Sequence, residues 1–212
     1  MSKLTAITPQ KKDKNRVNID IDGKFSFGLD LESLVKEKLR VGLELDQKEI
    51  DRLKNLNETG LLLGQVISLL SRRPHSKREI TQYLQKKHAT DKQKEIIIQK
   101  LENLNYIDDE EFILWWIDQR KTFRPKGKIA IFQELRLKGI DEKLIKSVFE
   151  KNEETNENSD FIVALGLGRK RLERIKNLPE MEIKTKLSRF LASRGFEWEI
   201  IKDVIDSLMK KD

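Results

Sequence analysis

The sequence predicts a mainly α-helical protein: an elongated tandem array of three-helix repeats, preceded by a small N-terminal module of a β-hairpin and a helix. An apolar helical segment recurs around Leu84, Leu135 and Leu191, at spacings of 51 and 56 residues. Each copy ends in a basic residue followed by a residue that terminates the helix, here called the stop, and a second apolar helix follows. These residue pairs are Lys87-His88, Lys138-Gly139 and Arg194-Gly195. Since a recurring helical unit cannot bury its apolar stripe alone, neighbouring copies are expected to stack.

The composition narrows the class of protein. Of the 212 residues, 37% are hydrophobic and 37% are charged, an apolar share that is low for one compact globule and typical of a thin helical stack. Cysteine is absent, which excludes disulfides and thiolate chemistry and favours a cytoplasmic location. No apolar run is long enough to span a bilayer, and the first residues lack the apolar segment of a signal peptide.

The formal net charge of +7 is unevenly distributed along the chain. Residues 59–107 carry nine basic and four acidic side chains, and residues 158–212 carry twelve and nine. This excess fits contact with a polyanion, or with a complex that contains one. A well-solvated, lysine-rich surface is the alternative explanation, and the charge alone favours it.

Residues 1–58 are predicted to form the N-terminal module. Apolar and polar side chains alternate on both sides of Asp22-Gly23, which is the pattern of a β-hairpin with a type I′ turn. A strand at Leu4–Ile7 is expected to join it because a lone hairpin is marginally stable. The polar segment Gln10–Asn15 is predicted to be a loop.

Two short helices complete the predicted module. Asp30 is the expected N-cap of the first, which Gly42 ends. Asp46 and Glu49 have the spacing of a capping box for the second helix. The polar segment Asn57–Gly60 is expected to end that helix and to close the module.

Three repeats are predicted to follow, with boundaries at residues 59–107, 108–152 and 160–212 and a flexible linker at residues 153–159 within the polar segment Lys151–Ser159. In the first repeat, Ser76 with Glu79 has the spacing of a capping box. In the third, Gly166 and Gly168 stand inside a helix, where each costs roughly 1 kcal/mol relative to alanine. Either a neighbouring helix approaches closely there, which we favour, or the helix kinks.

The residues that could carry chemistry are few. His75 and His88 have no partner at ligand spacing, so neither a metal site nor a general base is expected. The acidic cluster Asp108–Glu111 could hold a divalent metal, but it directly precedes an apolar helix, where carboxylates stabilise the positive helix end. Neither a phosphate-binding loop nor a dinucleotide fingerprint is present. No cofactor is therefore expected.

Two sets of residues are candidates for binding. Trp115 and Trp116 fit either the core of the second repeat or a protein contact, in which tryptophan is enriched. Basic residues cluster near the turns of all three repeats, either as a stripe that holds phosphates without reading bases or as scattered solubilising charge. They are Arg72, Arg73, Lys77 and Arg78; Arg120, Lys121, Arg124, Lys126 and Lys128; and Arg169, Lys170, Arg171 and Arg174.

Three sets of segments together form a specific pattern: residues 71–73 (SRR) with 76–80 (SKREI), residues 104–112 (LNYIDDEEF), and Gly127 with residues 134–140 (ELRLKGI). These segments resemble the RecX family of bacterial regulatory proteins. The resemblance covers residues 60–210, and the N-terminal module looks like the extension of some members from Gram-positive bacteria. Glu111 stands where members often have arginine, and His88 stands in place of glycine.

The resemblance implies tandem three-helix repeats and a regulatory role without catalysis. Members bind the RecA recombinase, chiefly as its filament on DNA, and mostly inhibit its strand-exchange, ATPase and coprotease activities. It thereby implies roles in recombination, DNA repair and the SOS response. Many members also bind DNA, so a stand-alone, sequence-nonspecific DNA-binding module is the alternative function. An enzyme ranks third, because no nucleophile, base or metal set supports one.

Overall fold

The computed structural model describes residues 1–155 and 159–210. Within them lie four strands, β1 Ser2–Pro9, β2 Arg16–Ile21, β3 Lys24–Asp30 and β4 Glu44–Leu45. The helices described are α1 Leu31–Lys36, α2 Gln47–Leu70, α3 Lys77–Lys86, α4 Asp91–Asn103, α5 Asp109–Phe123, α6 Lys128–Leu137, α7 Glu142–Thr155, α8 Ser159–Ile175, α9 Glu180–Ser193 and α10 Trp198–Met209. The predicted class, mainly helical with a small N-terminal strand module, is confirmed.

The chain folds as two compact units. Unit 1 contains residues 1–73 and 82–103, and unit 2 contains residues 74–81 and the chain from Leu104 onwards. Unit 1 therefore holds the strands with α1, α2 and α4, whereas unit 2 holds the first turns of α3 and the helices from α5 to α10.

The N-terminal strands form an antiparallel sheet in unit 1, in the order β3-β2-β1-β4. Asp22 and Gly23 have φ angles of 50° and 77°, as a type I′ turn requires, so the predicted hairpin is confirmed. One face of the sheet packs with α2 in a core that includes Leu4, Ile19 and Leu53.

Helix α2 corrects one prediction. Its capping box at Asp46 and Glu49 is present as expected, but the helix runs for 24 residues and does not end at Asn57–Gly60. Buried side chains lie on both sides of the expected break, at Leu53 and Val66. Packing of these side chains outweighs the cost of roughly 1 kcal/mol for an interior glycine. The N-terminal module and the first repeat consequently share one helix.

The three predicted stops have the same backbone geometry. His88, Gly139 and Gly195 have φ angles of 59°, 83° and 80°. In each copy the next amide donates to the carbonyl of the recurring leucine, from Ala89 to Leu84 (3.0 Å), from Ile140 to Leu135 (3.2 Å) and from Phe196 to Leu191 (3.4 Å). This is the Schellman helix end. The alignment of the three copies in the sequence thus matches the backbone geometry at their helix ends.

Repeats 2 and 3, defined here as α5–α7 and α8–α10, each enclose a core of their own. In repeat 3, a Cβ at Gly168 would lie 2.8 Å from Leu208 Cδ1, so the expected close approach of a neighbouring helix is confirmed there. Gly166 has open space around its Cα, and the prediction is wrong at that position.

Two helix ends of opposite polarity meet in unit 2. The Gly127 amide donates to the Arg194 carbonyl (3.0 Å), and the Ile129 amide donates to the Gly195 carbonyl (3.1 Å). The first amides and last carbonyls of helices have no partners within their own helix. Here the start of α6 and the end of α9 satisfy each other, with favourable dipole alignment. This contact is named the α6–α9 joint.

A related contact, named the α3–α6 joint, occurs at equivalent positions in unit 2. The Ser76 hydroxyl donates to the Lys138 carbonyl at 2.8 Å and accepts from the Glu79 amide at 3.3 Å, which confirms Ser76 as a cap of α3. Ser76 and Gly127 both stand eight residues before a recurring leucine, and Lys138 and Arg194 both stand just before a stop. The joint therefore recurs together with the sequence repeat.

Helix α7 extends to Thr155, into the segment that the sequence assigned to a linker. Residues 156–158 of that segment lie outside the described residues. The boundaries of the repeats otherwise stay predictions.

The α6–α9 joint leaves no room for a side chain at Gly195. A Cβ there would lie 2.9 Å from Ala130 Cα and closer still to the Ala130 amide nitrogen, and the positive φ adds strain. We expect Gly195→Ala to lower the free energy of unfolding by at least about 2 kcal/mol, measured by urea denaturation. The matched control is Gly166→Ala, in open space within α8, which should raise it by about 0.5–1 kcal/mol. Equal effects of the two substitutions would contradict this account of the joint.

Candidate functional site

The thirteen basic residues singled out in the sequence differ in burial. Arg72 and Arg73 lie in unit 1, and the others lie in unit 2. The exposed members are Arg72, Lys77, Arg78, Arg124, Arg169, Lys170 and Arg174. The half-buried members are Arg73, Arg120, Lys121, Lys126, Lys128 and Arg171. The exposed group is the part of the set that a large ligand can reach without rearrangement.

In repeat 2, two of these cations converge on one carboxylate of α6. Arg120 Nε donates to Glu134 Oε2 at 2.6 Å, and Lys126 Nζ donates to Glu134 Oε1. Trp116 Nε1 donates to the same Oε2 at 2.9 Å. The Glu134 side chain is 19% exposed. Arg120 and Lys126 are therefore neutralised within the protein, which makes them weaker candidates for phosphate contacts than the sequence suggested.

Opposing effects set the pKa of Glu134. Burial disfavours the carboxylate, but hydrogen bonds from Lys126, Arg120 and Trp116, together with the charge of Arg120, outweigh it and hold the pKa of Glu134 below its usual value of 4.5. The carboxylate is thus the stable form at neutral pH. It joins α5, the following turn and α6 at one point.

The Trp116 ring receives a second cation. The Arg120 guanidinium carbon lies 4.3 Å from the ring centroid, and Lys138 Nζ lies 4.9 Å from it. Lys138 also forms an ion pair with Glu79 at the start of α3. Both cations that reach this ring therefore have a carboxylate partner, Glu134 for one and Glu79 for the other. The aromatic ring and the two ion pairs connect the core of repeat 2 to the α3–α6 joint.

The two adjacent tryptophans belong mainly to the core of repeat 2. Trp116 is 9% exposed and stacks on Phe112, with ring centroids 5.8 Å apart. Trp115 is half-buried and packs against the same core. A protein contact through the exposed part of Trp115 stays a prediction.

Repeat 3 has a related arrangement around a phenylalanine. The guanidinium carbon of Arg171, on α8, lies 5.7 Å from the Phe190 ring centroid. The guanidinium carbon of Arg194, at the end of α9, lies 5.3 Å from the same centroid. The remaining basic residues of α8 are exposed. Lys170 and Arg174 are one helical turn apart and so lie on the same face of α8.

The acidic cluster and the histidines have structural positions. Asp108 caps α5 by accepting from the amides of Glu110 (2.8 Å) and Glu111 (3.1 Å), which agrees with the helix-start interpretation. His75 is buried, and His88 occupies a helix stop. Among the described residues no cluster of three or more histidine or acidic side chains could hold a metal ion.

None of the helices that the structure describes combines the length and the apolar character that a membrane span requires.

Sequence reasoning missed three residues of these clusters. Glu134 was part of a quoted family segment but was given no role, and Glu79 was predicted only as part of a capping box, because their ion-pair partners lie on other elements. Arg194 was noted only as a basic residue before a stop. Its position four residues after Phe190 was the available signal, because side chains four residues apart in a helix are neighbours.

Replacement of Glu134 tests the neutralised cluster. We expect Glu134→Gln to lower the free energy of unfolding by about 2 kcal/mol at neutral pH, because hydrogen bonds to a charged group are lost. Since folding lowers the pKa of Glu134, its contribution is present above pH 4.5 and is lost as the pH falls through the folded-state value. The gap between wild type and variant should therefore close on acidification, as measured by urea denaturation at several pH values.

The matched control for that experiment is Glu142→Gln. Glu142 pairs with Arg136 where both side chains are 47% exposed, so its loss should cost about 0.5 kcal/mol or less. A Glu134→Gln effect as small as that of the control, or one independent of pH, would contradict the assigned role.

Comparison with known proteins identifies the family. Family models described as the N-terminal domain, the second three-helix domain and the third three-helix domain of regulatory protein RecX match residues 2–46, 108–148 and 159–205. The chain is 31% identical over 208 residues to the regulatory protein RecX of Bacillus subtilis, which covers 97% of this chain and 76% of the relative. It is 32% identical over 202 residues to that of Bacillus licheniformis, with 95% and 75% covered.

A solved structure agrees with these matches. The crystal structure of a regulatory protein RecX superposes with a TM-score of 0.82 at 26% identity, over 97% of this chain and 100% of the other. The matched regions include the sheet, both repeats with their own cores and the α6–α9 joint. The chain therefore belongs to the RecX family of regulatory proteins.

Proposed function

We propose that the protein binds the RecA recombinase, in its filament on single-stranded DNA, and modulates it, mostly by inhibiting strand exchange, ATPase and coprotease activities. The observation that carries this proposal is the alignment of nearly the whole chain with proteins named as regulatory. The role involves no bond-making by the protein itself, and it would be exercised in the cytoplasm. Its effect on the recombinase arises from binding alone.

The exposed basic residues supply a physical means of contact. Arg124 in repeat 2, with Arg169, Lys170 and Arg174 in repeat 3, can meet phosphates without reading bases. These residues belong to repeats 2 and 3, which the α6–α9 joint connects through two backbone hydrogen bonds. Positions set in advance reduce the ordering cost of binding. Several modest contacts on one protein then strengthen binding together, because the first contact raises the effective concentration for the next one.

A filament contact also suggests how inhibition arises. A body that occupies both recombinase and DNA phosphates competes with a second DNA molecule or a repressor substrate for the same surface. It also restrains the subunit changes that accompany ATP hydrolysis. We favour binding along the filament over binding to free recombinase because basic side chains alone gain little from a target without a polyanion.

The second candidate is a stand-alone DNA-binding module, and the exposed basic face of α8 favours it. The two functions differ in their need for recombinase. A stand-alone module binds plain DNA tightly, with a steep dependence on salt. The favoured function predicts weak binding to DNA alone and much tighter binding once recombinase is present.

The direct test is the DNA-dependent ATPase activity of RecA. We expect stoichiometric amounts of the protein to lower the hydrolysis rate on single-stranded DNA, because the bound protein restrains the filament. A variant with alanine at Arg169, Lys170 and Arg174 should need a severalfold higher concentration for the same inhibition. Its matched control has alanine at Lys11, Lys12 and Lys14. These lysines are also exposed and lie in the loop between β1 and β2, so their replacement removes the same amount of charge.

An unchanged ATPase rate at stoichiometric wild-type protein would end the recombinase hypothesis. If the protein also binds plain duplex DNA tightly, the stand-alone function replaces it. Equal weakening by the two triple variants would show that net charge, rather than the α8 residues, governs the contact.

A further inference from the structure

Two arginines of repeat 3 share one aromatic ring. Arg171 and Arg194 lie 5.7 and 5.3 Å from the Phe190 ring centroid. Among the residues that the structure describes, neither forms an ion pair. Arg171 Nε is buried and has no hydrogen-bond partner there. A buried charged donor without an acceptor is costly, and the positive charge of the pair is uncompensated by any described carboxylate, which favours an anion near it.

The comparison with repeat 2 shows why the charge is uncompensated. The equivalent residue of Arg194 is Lys138, which pairs with Glu79 across the α3–α6 joint. In the α6–α9 joint the position equivalent to Glu79, 51 residues later, is Ala130. The carboxylate that neutralises the first joint is therefore replaced by a methyl group in the second.

The cation from the first helix of each repeat differs in the same way. In repeat 2, Arg120 contacts the aromatic ring and donates to Glu134. In repeat 3, Arg171 contacts the ring of Phe190, and no described acid takes the place of Glu134. The two cations beside the ring thus have carboxylate partners in repeat 2, whereas those of repeat 3 have none among the described residues. This difference separates a structural cluster from a candidate binding site.

The chemistry of the pair suits a phosphate group. Guanidinium groups present planar, forked donors that match phosphate oxygens. Both guanidinium carbons lie close enough to the Phe190 ring centroid for the ring to attract the cation, which occurs within about 6 Å. Exposed Lys170 and Arg174 on α8 continue the positive charge beyond the pair, which favours a chain of phosphates over one isolated anion.

We propose that Arg171 and Arg194 jointly bind one backbone phosphate of single-stranded DNA, as an anchor of repeat 3. The proposal rests on the proposed function, since it assigns one contact to the DNA of the filament. Phe190 is a positioning residue that orients the two guanidinium groups. Arg194 binds the DNA through its side chain while its carbonyl remains in the α6–α9 joint, so the anchor is tied directly to α6.

The test measures binding of the free full-length chain to a fluorescent single-stranded oligonucleotide over a series of salt concentrations. The variants are Arg171→Ala, Arg194→Ala and the double variant. Arg189→Ala is the matched control, because it removes an exposed arginine of α9 that precedes Phe190. Loss of one phosphate contact lowers the slope of log affinity against log salt by about 0.7.

We expect the double variant to lose about 0.7 in that slope and about fivefold in affinity near 0.1 M salt. The control should stay close to wild type. A loss of about 1.4 would mean two separate phosphates, and a loss no larger than that of the control would mean no phosphate at all. Either result would overturn the proposal.

Two further measurements keep the outcome clear. If the double alanine variant does not fold, Arg171→Lys with Arg194→Lys replaces it. This pair keeps the slope and should still lose affinity, and unchanged affinity would refute the forked contact.

RecA ATPase is measured in parallel. Variants that bind the oligonucleotide like wild type but no longer inhibit ATPase would assign the pair to a recombinase carboxylate. A wild type that leaves ATPase unchanged would refute only the proposed function.

Discussion

Hydrogen bonds between the start of one helix and the end of another hold repeats 2 and 3 in register. The Gly127 and Ile129 amides have no acceptors within α6, and the Arg194 and Gly195 carbonyls have no donors within α9. Their pairing satisfies four groups at once and brings the backbones so close that only glycine fits at position 195. The stop glycine is therefore needed twice, for its left-handed φ and for its missing side chain. This contact therefore fixes the surface charges of the two repeats relative to each other.

The same joint decides which cations remain available to a ligand. Where the start of a helix carries Glu79, the basic residue before the stop is neutralised. Where it carries Ala130, Arg194 has no carboxylate partner among the described residues. Glu134 also forms ion pairs with two half-buried basic residues of repeat 2, Arg120 and Lys126. Positive charge in the sequence is consequently a poor guide to the binding surface until internal ion pairs have been removed from the count.

Features that depend on neighbours in sequence could be predicted, and features that depend on partners from other helices could not. The Asp22-Gly23 turn, the caps and the recurring stops are local, and all follow from residue type and spacing. The break expected at Asn57–Gly60 failed because tertiary packing overrides local propensity. The role of Glu134 was not predictable, since its donors come from α5 and the following turn. The pairing of Arg171 with Arg194 likewise requires knowledge of how α8 lies against α9.

The most direct measurement of the central claim is native-state hydrogen exchange at the Gly127 and Ile129 amides. Because Ile129 is largely exposed, its amide exchanges slowly only if the α6–α9 joint stays closed. The account predicts that both amides are protected to the same degree as core amides such as Ile131, which requires opening of the packed repeats. Exchange of Gly127 and Ile129 at unprotected rates, while Ile131 remains protected, would contradict it.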